Sequence, residues 1–286
     1  MVDLEAPESI ELDSPNIVKT YHKSPYGAIS PLRPELSQEG RTVLITGASA
    51  EIGLSIARAY AEASAATIIL TGRRKDTVQN AAAKLSSDFK HTKFVARVCD
   101  VGSVAESTAL WVDLRTDGVI VDVLMLNAAQ FGGLGSIVDS GFATIWSQYE
   151  TNVRSLLQSP KRCTSKRIPK TGRSKSVAAV LPTYALTKAS GHLVMQKIAG
   201  EVDPKKFQMI NFHPGTILSE ASRSAGLDEN NNLPAHFAVW ATSAEAAVLH
   251  GRFVWAAWDV NEILSGDIKK SVESDPDFLT LSFVGV

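Results

Sequence analysis

A chain of 286 residues, 44% apolar and 21% charged, can bury a sizeable core, which excludes disordered, collagen-like and low-complexity classes. Its formal net charge of -1 gives no global electrostatic reason to expect nucleic acid or an anionic membrane as partner. Two cysteines, Cys99 and Cys163, cannot build a disulfide framework, no apolar run approaches the roughly 18 residues of a membrane helix, and the acidic start MVDLEAPESIELDSP is unlike a signal peptide; a soluble protein of a reducing, cytoplasmic compartment is expected.

Residues 1–40 carry Pro7, Pro15, Pro25, Pro31 and Pro34 with little periodicity, which predicts an irregular arm, disordered or loosely attached. RTVLITG (41–47) is the first strand signal, and EIGLSIARAYAEA (51–63) follows with Ile52, Ile56, Ala59 and Tyr60 at helical spacing. TIIL (67–70), KFVARVCD (93–100) and VDVLMLN (121–127) are further apolar strands. They are separated by helical patterns at 75–85 and 104–114. Helices are also expected over 142–158 and 184–200, with a late strand FQMINF (207–212) between 200 and the C-terminal region. Nearly all-apolar strands alternating with helices predict a single doubly wound parallel α/β domain over 41–270, with 271–286 as a tail.

One stretch breaks the rhythm. Pro160 is expected to stop a helix, and KRCTSKRIPKTGRSK (161–175) then holds seven Lys or Arg and no acid. SVAAVLP (176–182) follows as the only candidate for a fifth strand. The near-neutral charge is therefore an average of unlike parts, since residues 1–18 hold five acids and no base.

The first strand runs into TGASAEIG (46–53), a strand, glycine turn and helix N-terminus of the kind that cradles phosphate with unpaired backbone N–H groups. Gly47 permits the turn and Gly53 lets the helix sit close to the strand, but Glu51 occupies the place of a glycine, where its carboxylate would repel a pyrophosphate unless turned to solvent. The second strand ends in TGRR (71–74). A ribose hydroxyl calls for an acid at this edge and a 2′-phosphate calls for a cation, so Arg73 and Arg74 favour NADP over NAD. Asp100 and Asn127 close strands three and four at the same carboxyl edge. Tyr184 and Lys188, four residues apart on a predicted helix, share a face. An ammonium beside a phenol stabilises the phenolate and suits it to proton transfer. The histidines show no HExxH spacing and the cysteines no CxxC pair, so no metal site is expected.

Taken in order, TGASAEIG, TGRR, CDV (99–101), LNAA (126–129), TNV (151–153), YALTK (184–188) and HPGTILS (213–219) resemble the short-chain dehydrogenase/reductase family over about residues 40–265. YHKSPYGAISPLRPELSQEGRTVLITG (21–47) and LPAHFAVWATSAEAAVLHGRFVWAAWDVNEIL (233–264) look like the subgroup common in filamentous fungi, often in secondary-metabolite pathways. The resemblance implies a Rossmann-type fold and an NADP(H)-dependent carbonyl reductase or alcohol dehydrogenase acting on a small or medium organic metabolite, as a homodimer or homotetramer. Tyr184 would be the general acid or base, Lys188 would bind the nicotinamide ribose and lower the phenol pKa, and Asn152 would hold a relay water. Ile52, Arg73, Asp100 and Asn127 would line the pyrophosphate, 2′-phosphate and adenosine, and Ile217 and Ser219 would flank the nicotinamide carboxamide. Leu227, Leu233 and Phe237, in the variable segment near 216–240, suggest a partly apolar ligand.

The family's substrate-binding serine does not transfer cleanly. Thirteen positions before Tyr184 is Thr171, inside the basic stretch, while Ser174 and Ser176 lie nearer the apolar run; Ser176 is the candidate hydroxyl, with Thr171 and Ser174 as alternatives. The interval from Asn152 to Tyr184, 32 residues, is shorter than the family's. Residues 154–176 could be a solvated basic loop, a segment altered by splicing or translation error, or a gained nuclear-targeting or nucleic-acid patch, though the last lacks aromatic residues for stacking. The alternative to an active enzyme is therefore a catalytically impaired NADP-binding relative.

Overall fold

The computed structural model describes residues 17–132, 136–162, 167–171, 182–215 and 231–281, for 159–162 and 167–171 the backbone alone. Seven parallel strands form one sheet in the order β3-β2-β1-β4-β5-β6-β7. They are β1 (Thr42–Ile45), β2 (Thr67–Gly72), β3 (Lys93–Val98), β4 (Val123–Met125), β5 (Arg167–Thr171), β6 (Gln208–His213) and β7 (Phe253–Trp255). The strand order reverses beside β1, so the carboxyl ends of β1 and β4 flank the crevice where such sheets take ligands. Side chains of β1, β2 and β4 are buried on both faces, which is why these segments read as continuous apolar runs rather than alternating ones.

On one face α1 (Glu51–Glu62), α2 (Lys75–Asp88) and α7 (Asn232–Trp240) close the larger core. Buried Tyr60 of α1 donates from its hydroxyl to the Ala238 carbonyl of α7 at 3.1 Å and pairs with Thr242 Oγ1 at 3.0 Å. On the other face α3 (Val104–Thr116) supplies Leu110, Trp111 and Leu114. Further buried contacts come from α5 (Ser155–Arg162) through Leu156, and from α6 (Pro182–Glu201) through Met195 and Ala199. Leu233 and Phe237, expected near a ligand, are buried in the larger core instead, where Phe237 packs on Phe212 and Trp240.

Three expectations change. First, the strand between β4 and β6 is Arg167–Thr171, running from Arg167↔Gln208 to Thr171↔Phe212, so this part of the basic stretch is a strand and not a loop; SVAAVLP, expected as the fifth strand, lies outside the described residues up to Leu181. Pro169 lacks an amide hydrogen and lowers strand propensity, yet pairing with β6 overrides it. Second, α4 (Phe142–Tyr149) passes through a π turn, Glu150–Arg154, into α5, which continues two residues beyond Pro160. A missing amide hydrogen deep in the last turn weakens the helix without stopping it there.

Third, residues 17–40 are irregular, with two short 3-10 turns, but they are not loosely attached. Ile29 and Leu36 are fully buried, and the Arg33 guanidinium makes a bidentate pair with Glu245 at 2.7 and 3.1 Å. Tyr26 donates to the Trp258 carbonyl and accepts from the Val260 amide, its ring stacked on His22, which pairs with Asp259 at 2.7 Å. The tail after Ser274 is fastened likewise: Arg252 donates to the carbonyls of Val272, Asp275, Pro276 and Phe278.

Candidate active site

The glycine turn after β1 is built by close approach. Gly47 sits at φ 65°, a conformation that glycine takes at least cost, with the Ala128 backbone 3.0 Å from where a Cβ would lie. A Cβ on Gly53 would stand 2.2 Å from the Gly47 carbonyl and 2.7 Å from Asn127 Nδ2, so α1 can pack here only with glycine. Asn127 Nδ2 donates to the carbonyls of Thr46 and Gly47, both at 3.1 Å, and thus ties the end of β4 to the turn. Thr46 Oγ1 accepts from the amides of Asn127 and Ala128. Glu51, the first residue of α1, has φ 48°, the left-handed region where a side chain is strained.

A cavity of about 340 Å³ opens at this edge, lined by Gly47, Ser49, Gly72, Arg73, Arg74, Cys99, Asp100, Ala128 and Thr151. Both arginines are exposed at its wall. Asp100 is shaped by its own loop: Oδ1 accepts from the Gly102 amide at 2.8 Å, and its backbone N–H donates to Glu106 Oε2 at 2.9 Å. Burial, then the Glu106 and Asp100 carboxylates, push the Cys99 thiol up to about 12, so it stays a neutral thiol near pH 7 and no nucleophile. A larger cavity of about 710 Å³ lies near the amino ends of β1–β3, among Gly40, Thr42, Thr67 and Lys93, away from the crevice.

Tyr184 and Lys188 occupy one face of α6, both buried, with Lys188 Nζ 5.3 Å from the Tyr184 ring centroid. Asn152 lies in the π turn and is equally buried. Its Oδ1 accepts from the Gln130 amide at 2.8 Å, and its Nδ2 donates to the Gln130 carbonyl at 2.8 Å and to Thr187 Oγ1 at 2.9 Å. Thr187 Oγ1 in turn donates to the Tyr184 carbonyl at 2.8 Å. One asparagine therefore connects the loop after β4 to the helix turn bearing Tyr184 and Lys188. The π turn, an extra residue in the helical ladder, aims it there.

The fold thus gathers Gly47, Ile52, Gly53, Arg73, Asp100 and Asn127 around the turn and β-strand ends, and Asn152, Tyr184 and Lys188 around α6. Ser176, Ile217 and Ser219 lie outside the described residues. No spacing or residue type in the sequence singles out Gln130, Phe131 or Thr187, nor marks Thr171 as a strand end. Gln130 and Phe131 directly follow LNAA and Thr187 lies inside YALTK, so position next to a motif was the available signal.

The family profile of the short chain dehydrogenases matches residues 41–230. The chain belongs to this family. Among curated relatives, a short chain dehydrogenase/reductase of Claviceps purpurea is 30% identical, the match covering 94% of this chain and 95% of the relative. The short chain dehydrogenase/reductase AacuD of Aspergillus aculeatus is 31% identical over 93% and 96%. Solved short-chain dehydrogenase folds superpose well: the NADP complex of Pseudomonas aeruginosa RhlG has a TM-score of 0.70 at 19% identity, covering 78% of this chain and 97% of that one. L-sorbose reductase from Gluconobacter frateurii, solved with NADPH and L-sorbose, has a TM-score of 0.68 at 21% identity, covering 77% and 96%. At these identities the likeness shows the fold. Among the described residues no helix is long and apolar enough to cross a membrane, and no group of three or more His, Cys, Asp or Glu is placed to hold a metal ion.

Proposed function

We propose that this short-chain dehydrogenase is an NADP(H)-dependent carbonyl reductase or alcohol dehydrogenase of a small or medium organic metabolite, with a role in fungal secondary metabolism, and that it works in the cytoplasm as a homodimer or homotetramer. Residues 41–270 carry the activity, with 1–40 as arm and 271–286 as tail. The observation that carries the reading is the buried Tyr184–Lys188 pair, oriented through Thr187 and Asn152 at the edge of the sheet where the glycine turn opens.

The residues present fit a dinucleotide phosphate. The turn before α1 offers backbone N–H groups to a pyrophosphate, and Arg73 and Arg74 at the cavity wall offer cations where NAD-selective sites have an acid. Bound NADPH supplies the hydride for the carbonyl carbon. Tyr184 gives its phenolic proton to the carbonyl oxygen as the C=O π pair moves onto that oxygen, and takes the proton back in the reverse direction. The Lys188 ammonium beside the ring stabilises the phenolate that remains. Asn152 holds the loop and helix in register and is the residue for a relay water.

For the hydroxyl that steadies the substrate carbonyl we favour Thr171 over Ser176. Thr171 is the last residue of β5, paired with Phe212, and thus stands at the carboxyl edge beside β6. A threonine in that role would supply the O–H that the family's serine supplies, and an active enzyme is the reading we favour over an impaired one.

The test follows NADPH oxidation against a panel of ketones in the wild type, Tyr184→Phe and Thr171→Val, with NADPH binding measured in parallel. Tyr184→Phe should lose about 10²-fold or more in kcat while still binding NADPH. Equal rates in wild type and Tyr184→Phe would overturn the catalytic assignment.

A further inference from the structure

The loop between β4 and α4 is fastened on both sides of one half-exposed ring. On one side, Gln130 is held at its amide and carbonyl by Asn152, and its side-chain Oε1 accepts from the hydroxyls of Ser147 and Thr151 at 3.2 and 3.1 Å. On the other side, a Cβ on Gly132 would lie 2.6 Å from both Gln148 Nε2 and Thr183 Oγ1, so the chain presses closely against α4 and α6. Phe131 sits between these two anchors. Its ring centroid is 4.6 Å from that of Tyr184, with the planes 24° apart, and Phe131 is nonetheless 45% exposed.

This placement differs from that of a core phenylalanine. A core ring gains from burial on all sides, and one left half in water forfeits much of that gain. Here the ring leans on the side chain proposed to move the proton, and the loop carrying it cannot easily swing away. Further along, Val138 and Phe142 are among the most exposed large apolar side chains of the described residues, and Phe142 stacks on half-exposed Trp146 with ring centroids 5.8 Å apart. A rigid aromatic wall suits a flat ring, because ring stacking adds to area burial and the fastened loop has little freedom left to lose.

We propose that Phe131 is a specificity-determining residue and that the carbonyl substrate carries a flat aromatic ring, which lies against Phe131 while its carbonyl reaches Tyr184. This deepens the oxidoreductase reading above and rests on it for the position of the reacting group.

The experiment compares 2-acetonaphthone with 2-octanone as substrates in the presence of NADPH, for wild type, Phe131→Leu, Phe131→Ala and Phe131→Trp. The wild type should favour the aromatic ketone. Phe131→Leu and Phe131→Ala should lower the aromatic-to-aliphatic ratio of kcat/KM by about ten-fold, mainly through KM, and Phe131→Trp should keep it. A second arm measures equilibrium binding of 2-acetonaphthone, with and without NADPH, to Tyr184→Phe and to the same protein carrying Phe131→Leu. Binding needs no turnover, so weaker binding by the double variant supports the wall even if Tyr184 proves not to be the acid, and undiminished turnover by Tyr184→Phe rejects Tyr184 as the acid without touching the wall. An unchanged ratio in Phe131→Leu, equal binding by the two proteins of the second arm, or no measurable binding of the aromatic ketone overturns the proposal.

Discussion

Replacing Glu51 separates two costs that this residue imposes on the phosphate turn. The backbone cost comes from φ 48° at the first residue of α1, where the Cβ of an L-residue crowds the following carbonyl by about 1–2 kcal/mol. Glycine removes that crowding but brings about 0.5–1 kcal/mol of extra unfolded-chain entropy. The carboxylate also interacts favourably with the N-terminus of α1, so Glu51→Gly alone mixes charge and backbone effects. Glu51→Gln removes the charge and keeps the strain. Glu51→Gly should therefore be more stable than Glu51→Gln by about 0.5–1 kcal/mol, read as a shift in urea midpoint at constant slope. Both should bind NADP(H) more tightly than wild type. Unit charges about 6–8 Å apart in water repel by about 0.5–0.7 kcal/mol, so two phosphates held at such a separation would contribute about 1 kcal/mol, or roughly five-fold in Kd. The gain should shrink as salt is raised. A Glu51→Gly protein no more stable than Glu51→Gln would refute the strain argument, and an unchanged Kd at low salt would refute the proximity of Glu51 to the phosphates.

Three further outcomes are expected. Arg73→Asp should weaken NADPH binding at least ten-fold more than NADH binding, measured by nicotinamide fluorescence; an unchanged preference rejects Arg73 as the selector. Gly53→Ala, whose new methyl would meet the Gly47 carbonyl at 2.2 Å, should cost about 2–3 kcal/mol in chemical denaturation and abolish NADPH binding, and native-like stability would disprove the close packing. The Glu245 carboxyl is held below its ordinary value of 4.5 by hydrogen bonds from Arg33 first, against burial, with Trp240 Nε1 adding to the effect. A depressed folded value means its contribution is present above pH 4.5 and lost as pH falls through that folded value. Glu245→Gln should accordingly flatten the fall of stability between about pH 5 and 3, and parallel curves for the two proteins would contradict the pairing with Arg33.

Much of this site was readable before the fold, and for local reasons. A strand, a glycine turn and a helix within a dozen residues leave a signature in TGASAEIG, and Tyr184 and Lys188 meet because four residues is about one helical turn. Arg73 could be placed at the carboxyl edge from the end of an apolar run. Each inference needed only short-range chain geometry.

The rest was decided between distant segments. RIPKT has two cations and a proline and carries no strand signal, whereas SVAAVLP reads as one; what makes Arg167–Thr171 the fifth strand is the row of backbone partners offered by β6, which no local pattern reveals. The same pairing moves Thr171 from a basic loop to the carboxyl edge of the sheet. Leu233 and Phe237 looked available to a ligand until α7 packed them beneath α1, and the proline-rich arm looked loose until Arg33 and Tyr26 found Glu245 and Trp258. Asn152 needed a π turn to reach Gln130, and Phe131 gained its meaning only when the loop was pinned over the Tyr184 ring. The sequence by itself determined the alternating elements and the residues able to do the chemistry, because apolar periodicity and turn residues act over a few positions. Tertiary structure decided which strand fills the centre of the sheet and which side chains meet at its carboxyl edge, because those depend on partners distant in the chain, such as Arg167 with Gln208 or Arg33 with Glu245, competing for the same backbone and the same space.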